Sequence, residues 1–172
     1  DAAAALETAH GAKGRVEPVP TDGDYSIFID YAVTPDAIEN VLTTLRGIAP
    51  KRLVMLFGAG GDRDRKKRPI MGKLSADIAD FVIVTSDNPR TEDPMSIIEE
   101  ILPGVRAGKA PYKVICDRPE AIRWAIDHHE PGDVILLCGK GHEDYQIIGH
   151  EKIHMDEREI VADYLAERAK RT

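Results

Sequence analysis

Arg52-Leu53-Val54-Met55-Leu56-Phe57, running into Gly58-Ala59-Gly60-Gly61-Asp62-Arg63-Asp64-Arg65-Lys66-Lys67-Arg68, is the stretch that decides the fold. A short run that is apolar at nearly every position predicts a strand buried on both faces, and the glycine turn behind it opens into a helical pattern over 68–79. The same unit recurs on either side. Ser26–Asp30 precedes a helical pattern over 35–49, Phe81–Thr85 one over 94–102, and Tyr112–Cys116 one over 118–129, before a last apolar run at Val134–Cys138. Strand and helix alternating in this way predict a doubly wound, Rossmann-like α/β domain, with a mostly parallel sheet and helices on both faces. Beyond Gly139 the rhythm changes. Tyr145–Gly149 and Lys152–His154 are short and close together, as in an antiparallel hairpin, and a final helix is expected over 156–170. Residues 1–25 combine an alanine-rich turn with Gly11, Gly14, Pro18, Pro20 and Gly23 and lack periodicity, so they are read as a linker or tail, leaving 26–172 as the domain.

Composition agrees with one soluble globular unit. The 172 residues are 42% hydrophobic and 31% charged, a balance that can bury a core. A net charge of −7 argues against a general surface for nucleic acid or anionic membrane, so any basic site must be local. No apolar run approaches the roughly 18 residues of a membrane span, and a cytoplasmic location is expected. Cys116 and Cys138 sit in apolar runs, too far apart for the close pairs of zinc sites, and are read as buried thiols.

In a doubly wound sheet, ligands sit at the carboxyl ends of the strands, which directs attention to the five loops there. Gly58-Ala59-Gly60-Gly61 does not complete a dinucleotide fingerprint, because the third glycine would fall on Arg63. None of Gly72-Lys73, Gly108-Lys109 and Gly139-Lys140 is followed by Ser or Thr, so no phosphate-cradling P-loop is present. Behind the glycines comes a cluster of cations, Arg63, Arg65, Lys66, Lys67 and Arg68, broken by Asp64. It suits a carboxylate or phosphate ligand, and equally a solvated helix face. Asn88 before Pro89 is pushed to an extended or turn conformation that can project Asn88 and Arg90 from the rim; an ordinary turn explains the pattern as well. Gly139-Lys140-Gly141-His142-Glu143-Asp144 offers free backbone groups, a carboxylate and an imidazole, or is simply a glycine turn. His150 and His154 have a metal-like gap without a supporting ligand pattern, and no metal site is expected.

Taken together, four strings change the reading. Asp30-Tyr31-Ala32-x-Thr34-Pro35-Asp36, Phe57-Gly58-x-Gly60-Gly61-Asp62-Arg63-Asp64, Asp87-Asn88-Pro89-Arg90 and Gly139-Lys140-Gly141-His142-Glu143-Asp144-Tyr145 occur in the order seen in Mur ligases. The chain resembles the C-terminal, amino-acid-binding domain of the branch that adds meso-diaminopimelate, over essentially its whole length, with Gly14-Arg15-Val16-Glu17 similar to the segment that leads in from the central ATPase domain. The resemblance implies a cytoplasmic, ATP-dependent step of peptidoglycan synthesis. A carboxylate of UDP-N-acetylmuramoyl-L-Ala-D-Glu is phosphorylated, and the amine of the diamino acid attacks the acyl phosphate. ATP and Mg2+ would be held mainly by the central domain, which is not in this sequence; no catalytic residue and no metal ligand is expected here, nor any membrane or nucleic-acid partner, and the expected state is a monomer. Carried over by position, Arg63, Asp87, Asn88, Pro89, Arg90, Gly139 and Glu143 would bind the diamino acid, while Arg15 and Asp30 would contact the nucleotide. Val33 stands where the family usually has His, which removes any nucleotide contact made by that imidazole, and Ala59 replaces a common Cys.

The residue types agree with the implied ligand. Meso-diaminopimelate is lysine with an extra carboxylate at its far end, so a selective site needs a fixed cation for that carboxylate and an acceptor for the adjacent ammonium. Arg90, Asn88 and Glu143 are of those types. Two alternatives stay open at this point: a stand-alone α/β module that captures an anion without chemistry, and a related ligase that adds lysine.

Overall fold

The protein is described by a computed structural model covering residues 12–48 and 51–171. Its strands are β1 (Glu17–Val19), β2 (Tyr25–Asp30), β3 (Leu53–Phe57), β4 (Phe81–Val84), β5 (Tyr112–Val114), β6 (Asp133–Cys138), β7 (Tyr145–Ile148) and β8 (Glu151–His154). Its helices are α1 (Pro35–Arg46), α2 (Lys67–Ile78), α3 (Pro94–Ala107), α4 (Arg118–Asp127) and α5 (Glu157–Arg171). The sheet runs in the order β1-β2-β6-β3-β4-β5, all neighbours parallel except the antiparallel pair β1 and β2. This is the expected mostly parallel α/β architecture. β7 and β8 form the expected antiparallel hairpin, as a separate two-stranded sheet.

Alternation along the central strands explains the layers. Leu53, Met55 and Phe57 of β3 pack with Val134, Leu136 and Cys138 of β6 against α1, α2 and α3, while Val54, Leu56, Ile135 and Leu137 face α4 and α5. Both faces are therefore covered, which is why these strands carry no polar positions in their middles. The helix starts are chemically specified. Thr34, Asp93 and Asp117 each accept a backbone N–H two or three residues into the helix, and proline occupies the first or second helical position behind each of them.

Three expectations are corrected. Glu17–Val19 falls within the stretch read as a linker, yet it is an edge strand of the sheet: Val19 is buried, and Glu17, Pro18 and Val19 pair with Ile29, Phe28 and Ile27. The proline- and glycine-rich composition around it hid a strand of only three residues; the alanine-rich turn before it lies outside the described residues. α3 does not stop at Leu102 but continues through Pro103 to Ala107, because Pro103 sits on the exposed face while Leu102 and Val105 are buried toward the core. The cost is one helical hydrogen bond, and the apolar face behind the proline outweighs it. Cys116 is half-buried rather than fully buried, unlike Cys138, whose Sγ donates to the Ala32 carbonyl at 3.2 Å.

Register places the functional end. Asp30 pairs with Cys138, Cys138 with Phe57, and Phe57 with Val84, so the carboxyl ends of β2, β6, β3 and β4 are level and their loops open on one edge. β1 is tied down from outside the sheet: Glu17 accepts from Arg158 of α5 at 2.9 and 2.5 Å and from the Gly14 amide at 2.6 Å. The Arg158 guanidinium, chiefly, brings the Glu17 carboxyl down to about 2. A carboxyl lowered on folding contributes stability that is complete above its ordinary value near 4.5 and is lost as pH falls toward 2. Glu17→Gln should therefore destabilise the chain by about 1 kcal/mol at pH 7, after allowance for solvent screening of a partly exposed pair, and lower the thermal midpoint by roughly 2–4 °C. Melting curves of the two proteins should converge as the pH is taken down to 2.

Candidate amino-acid site

Four of the five strand-end loops meet around a cavity of about 350 Å³ whose lining includes Tyr31, Val33, Gly58, Arg63, Lys67, Asp87, Asn88, Arg90, Gly139 and Glu143. The loop after β5 contributes nothing to that lining. Instead, it caps α4, whose first residue, Arg118, lies beneath the site.

Asn88 stands at the centre of the hydrogen bonding. Its Oδ1 accepts from the Lys140 Nζ at 2.8 Å and from the Ile147 amide at 2.9 Å, and its Nδ2 donates to Glu143 Oε2 at 3.1 Å. Lys140 also donates to Glu143 Oε2 at 3.0 Å and lies 3.5 Å from Asp87 Oδ1. Burial works to raise the Glu143 carboxyl, but the Lys140 ammonium and the Asn88 amide outweigh it and hold the group below the usual carboxylate range. Asp87 goes the other way. Its desolvation prevails over the attraction of Arg118 and Lys140 and raises its carboxyl, and Oδ1 is buried with no hydrogen-bond partner. Two neighbouring carboxyls are thus pushed in opposite directions by their surroundings.

Arg90 owes its pose to backbone. It adopts a left-handed φ of 54°, its amide donates to the Ile147 carbonyl at 3.0 Å, and its carbonyl accepts from Gly149 at 2.7 Å. The β7–β8 hairpin therefore holds the Asp87–Arg90 loop by pairing with it. Gln146 adds a second tie, donating to the Asp87 carbonyl and to Ser86 Oγ. The Arg90 Nη1 donates to the Gly61 carbonyl at 2.9 Å, which aims the guanidinium along the glycine turn. That turn must be glycine at position 61, because a Cβ there would stand 1.8 Å from the Pro89 carbonyl oxygen. Gly139 has a φ of 112° and its backbone faces Asp87, which lets β6 turn sharply into the site.

The structure brings Arg63, Asp87, Asn88, Arg90, Gly139 and Glu143 to one cavity; Pro89 is buried between Asn88 and Arg90 and does not line it. Arg15 and Asp30 are elsewhere. Asp30 is buried and accepts from the Val16 amide at 2.9 Å and the Ala32 amide at 2.8 Å, and Arg15 is exposed, 5.7 Å from the centre of the Tyr31 ring. The cation cluster also resolves into two kinds. Arg65 pairs with Glu100 away from the cavity; Arg63, Lys67 and Arg68 line it, and of these Arg68 is buried and already paired with Glu92, Glu100 and the Gly60 carbonyl. His154 pairs with Glu159 at 2.5 Å, and among the described residues no cluster of three or more His, Cys, Asp or Glu is placed to hold a metal ion. Asp87 and Glu143 share a lysine cation, an arrangement that does not suit Mg2+.

Two residues escaped the sequence reading. Lys140 lay inside a quoted string without a role. Arg118 had a usable signal: a cation at the first position of a helix opposes the macrodipole, so it requires compensation elsewhere. It finds it in Glu157 of α5 at 2.8 Å, and its two other nitrogens donate to the carbonyls of Ser86 at 3.1 Å and Cys138 at 2.8 Å. Arg118 thereby joins the two loops that carry Asp87 and Lys140.

Comparison with known proteins gives the family. The family model described as "Mur ligase, glutamate ligase domain" matches residues 14–141. The chain belongs to this family. It is 54% identical over 158 residues to the UDP-N-acetylmuramoyl-L-alanyl-D-glutamate–2,6-diaminopimelate ligase of Caldanaerobacter subterraneus subsp. tengcongensis, covering 92% of this chain and 33% of that protein. The enzyme of the same name from Trichormus variabilis is 54% identical over 162 residues, 93% of this chain and 32% of the relative. A solved structure of a UDP-N-acetylmuramoyl-L-alanyl-D-glutamate–2,6-diaminopimelate ligase superimposes with a TM-score of 0.84 at 40% identity, over 92% of this chain and 32% of that one. The chain spans about a third of the length of the curated relatives it matches.

Arg118 and Glu157 are both fully buried, so removing one charge strands the other. Arg118→Met should cost about 3–5 kcal/mol in urea unfolding, and the double variant Arg118→Met/Glu157→Leu should cost less than the single. A double variant as unstable as the sum of its parts would contradict the pairing.

Proposed function

We propose that this chain is the amino-acid-binding domain of an ATP-dependent ligase that joins meso-diaminopimelate to UDP-N-acetylmuramoyl-L-Ala-D-Glu in the cytoplasmic stage of peptidoglycan synthesis. The observation that carries the reading is a single cavity lined by cations, Arg63 and Arg90, and by carboxylates, Asp87 and Glu143, which is the pairing a zwitterionic amino acid requires. Arg90 takes the far carboxylate and Glu143 accepts from the adjacent ammonium, with Asn88 donating between them. Arg63 and the Gly139 backbone complete the enclosure.

In the reaction, the γ-phosphoryl group of ATP passes to a glutamyl carboxylate of the acceptor and ADP leaves. The free amine of the diamino acid attacks the acyl carbon, phosphate departs, and the amine's proton is released. This domain contributes orientation: it holds the diamino acid by its far end so that the reacting amine is presented to the acyl phosphate. ATP and Mg2+ would be held by the rest of the ligase. The stand-alone anion-trap alternative is disfavoured by the carboxylates, since an anion trap gains nothing from Asp87 and Glu143.

Lysine lacks the far carboxylate, so its binding would leave Arg90 desolvated and unpaired, a penalty of about 2–5 kcal/mol. Calorimetric titration of the chain should therefore show meso-diaminopimelate binding at least about thirtyfold more tightly than lysine. Arg90→Ala should erase most of that preference by weakening diaminopimelate alone. Equal losses for both amino acids would make Arg90 a scaffold residue and would remove the assignment of its loop.

The chain should hydrolyse no ATP, because it has no phosphate-cradling loop. Metal-dependent phosphate release from the purified chain would contradict this.

A further inference from the structure

The Lys140 ammonium, hydrogen-bonded to Asn88 and Glu143, has no exposure at all, and Lys140 does not line the cavity. It cannot touch a ligand there and must act through its neighbours. Those neighbours are the site itself: Asn88 Oδ1 at 2.8 Å, Glu143 Oε2 at 3.0 Å and Asp87 Oδ1 at 3.5 Å, with the Tyr145 ring centre at 5.3 Å. Resting on the amino-acid reading of the cavity, we propose that Lys140 is its positioning residue, orienting the Asn88 amide and the Glu143 carboxylate as a donor–acceptor pair matched to the carboxylate and ammonium of one amino-acid centre.

The amide orientation is dictated by hydrogen-bond inventory. A lysine ammonium only donates, and the Ile147 amide only donates, so the atom of Asn88 that meets both must be its oxygen. The Asn88 nitrogen is thereby forced toward Glu143 and the cavity. Without the ammonium, only the Ile147 amide would still hold the oxygen away from the cavity, a weaker lock on an orientation whose reversal would turn an oxygen toward a ligand carboxylate.

Charge gives the second half. The groups that face Glu143 are Lys140 on its own loop, Asp87 and Arg90 from the loop after β4, Tyr145 from β7 and Tyr31 from the loop after β2, with Arg118 of α4 and Glu157 of α5 behind Asp87. Lys140 is the cation hydrogen-bonded to Glu143, and it stands between Glu143 and Asp87. Neutralising it leaves two buried carboxyls in one site, which share a proton until the solution is basic enough to remove it. A protonated Glu143 no longer attracts an ammonium. Loss of Lys140 is thus expected to show itself as a pH dependence that a packing role would not create.

The test uses the 172-residue chain and Lys140→Met, titrated calorimetrically with meso-diaminopimelate from pH 5 to 9, beside side-chain NMR of Asn88 and Glu143 without ligand. Wild-type affinity should be level between about pH 6 and 8. The variant should bind at least about tenfold more weakly at pH 6 and recover as pH rises, with the Glu143 carboxyl titrating at least about one unit higher and the Asn88 amide signals displaced. An equal loss at every pH, with Asn88 and Glu143 signals unmoved, overturns the proposal. If the wild type binds no diaminopimelate, the amino-acid reading fails, and the ligand-free spectra decide the role of Lys140 by themselves. If the variant does not fold, wild-type ¹⁵N spectra decide: slow exchange of the Lys140 ammonium protons with the Asn88 amide fixed supports the role, and fast exchange with a rotating amide overturns it.

Discussion

A lysine ammonium sealed from water has to be surrounded by acceptors, and the rest of this structure is arranged so that Lys140 is. Its partners come from two loops that are 52 residues apart in the chain, and they meet because β4 and β6 flank β3 in a register that ends all three strands level. The sheet supplies the alignment and the ammonium supplies the reason for the loops to stay in it. Glu143 is the third party: bound to Lys140 on one side, it has its other surface in the cavity. An ion pair that would otherwise be a costly burial of charge thus doubles as part of the cavity wall.

Beneath it, Arg118 repeats the device with backbone carbonyls. It gathers the ends of β4 and β6 through Ser86 and Cys138 and is balanced by Glu157 of α5. The β7–β8 hairpin closes the arrangement from the other side by pairing with Arg90. Loops are ordinarily the mobile part of an α/β domain. Here, the loop that carries Asp87, Asn88 and Arg90 is buried from Thr85 to Pro89 and fixed from three directions.

The central sheet was legible in the sequence because strands such as Leu53–Phe57 and Val134–Cys138 are buried on both faces and carry no polar residue to blur the signal. The hairpin was legible for the opposite reason, two short runs too close together for a crossover. The edge strand Glu17–Val19 was not, since three residues among prolines and glycines show no period, and beside its pairing with β2 it is held by a side-chain pair with Arg158 on the last helix. Pro103 misled for a related reason: whether a proline ends a helix depends on which face it occupies, and that is a tertiary fact. Asn88, Arg90 and Glu143 were singled out by residue type and motif, and the fold brings them to one cavity. Lys140 and Arg118 were passed over because their partners are distant in the chain, and a buried cation looks like a surface one until the fold places an acceptor beside it.

The sharpest check on the site is a crystal structure of this chain soaked with meso-diaminopimelate. One end of the ligand should lie with its carboxylate on Arg90 and its ammonium on Glu143, the Asn88 nitrogen donating to that carboxylate, and the opposite amine directed to the open mouth of the cavity. A ligand bound in the reverse sense, or one that engages Arg63 and Lys67 while leaving Arg90 and Glu143 unoccupied, would contradict the proposed site.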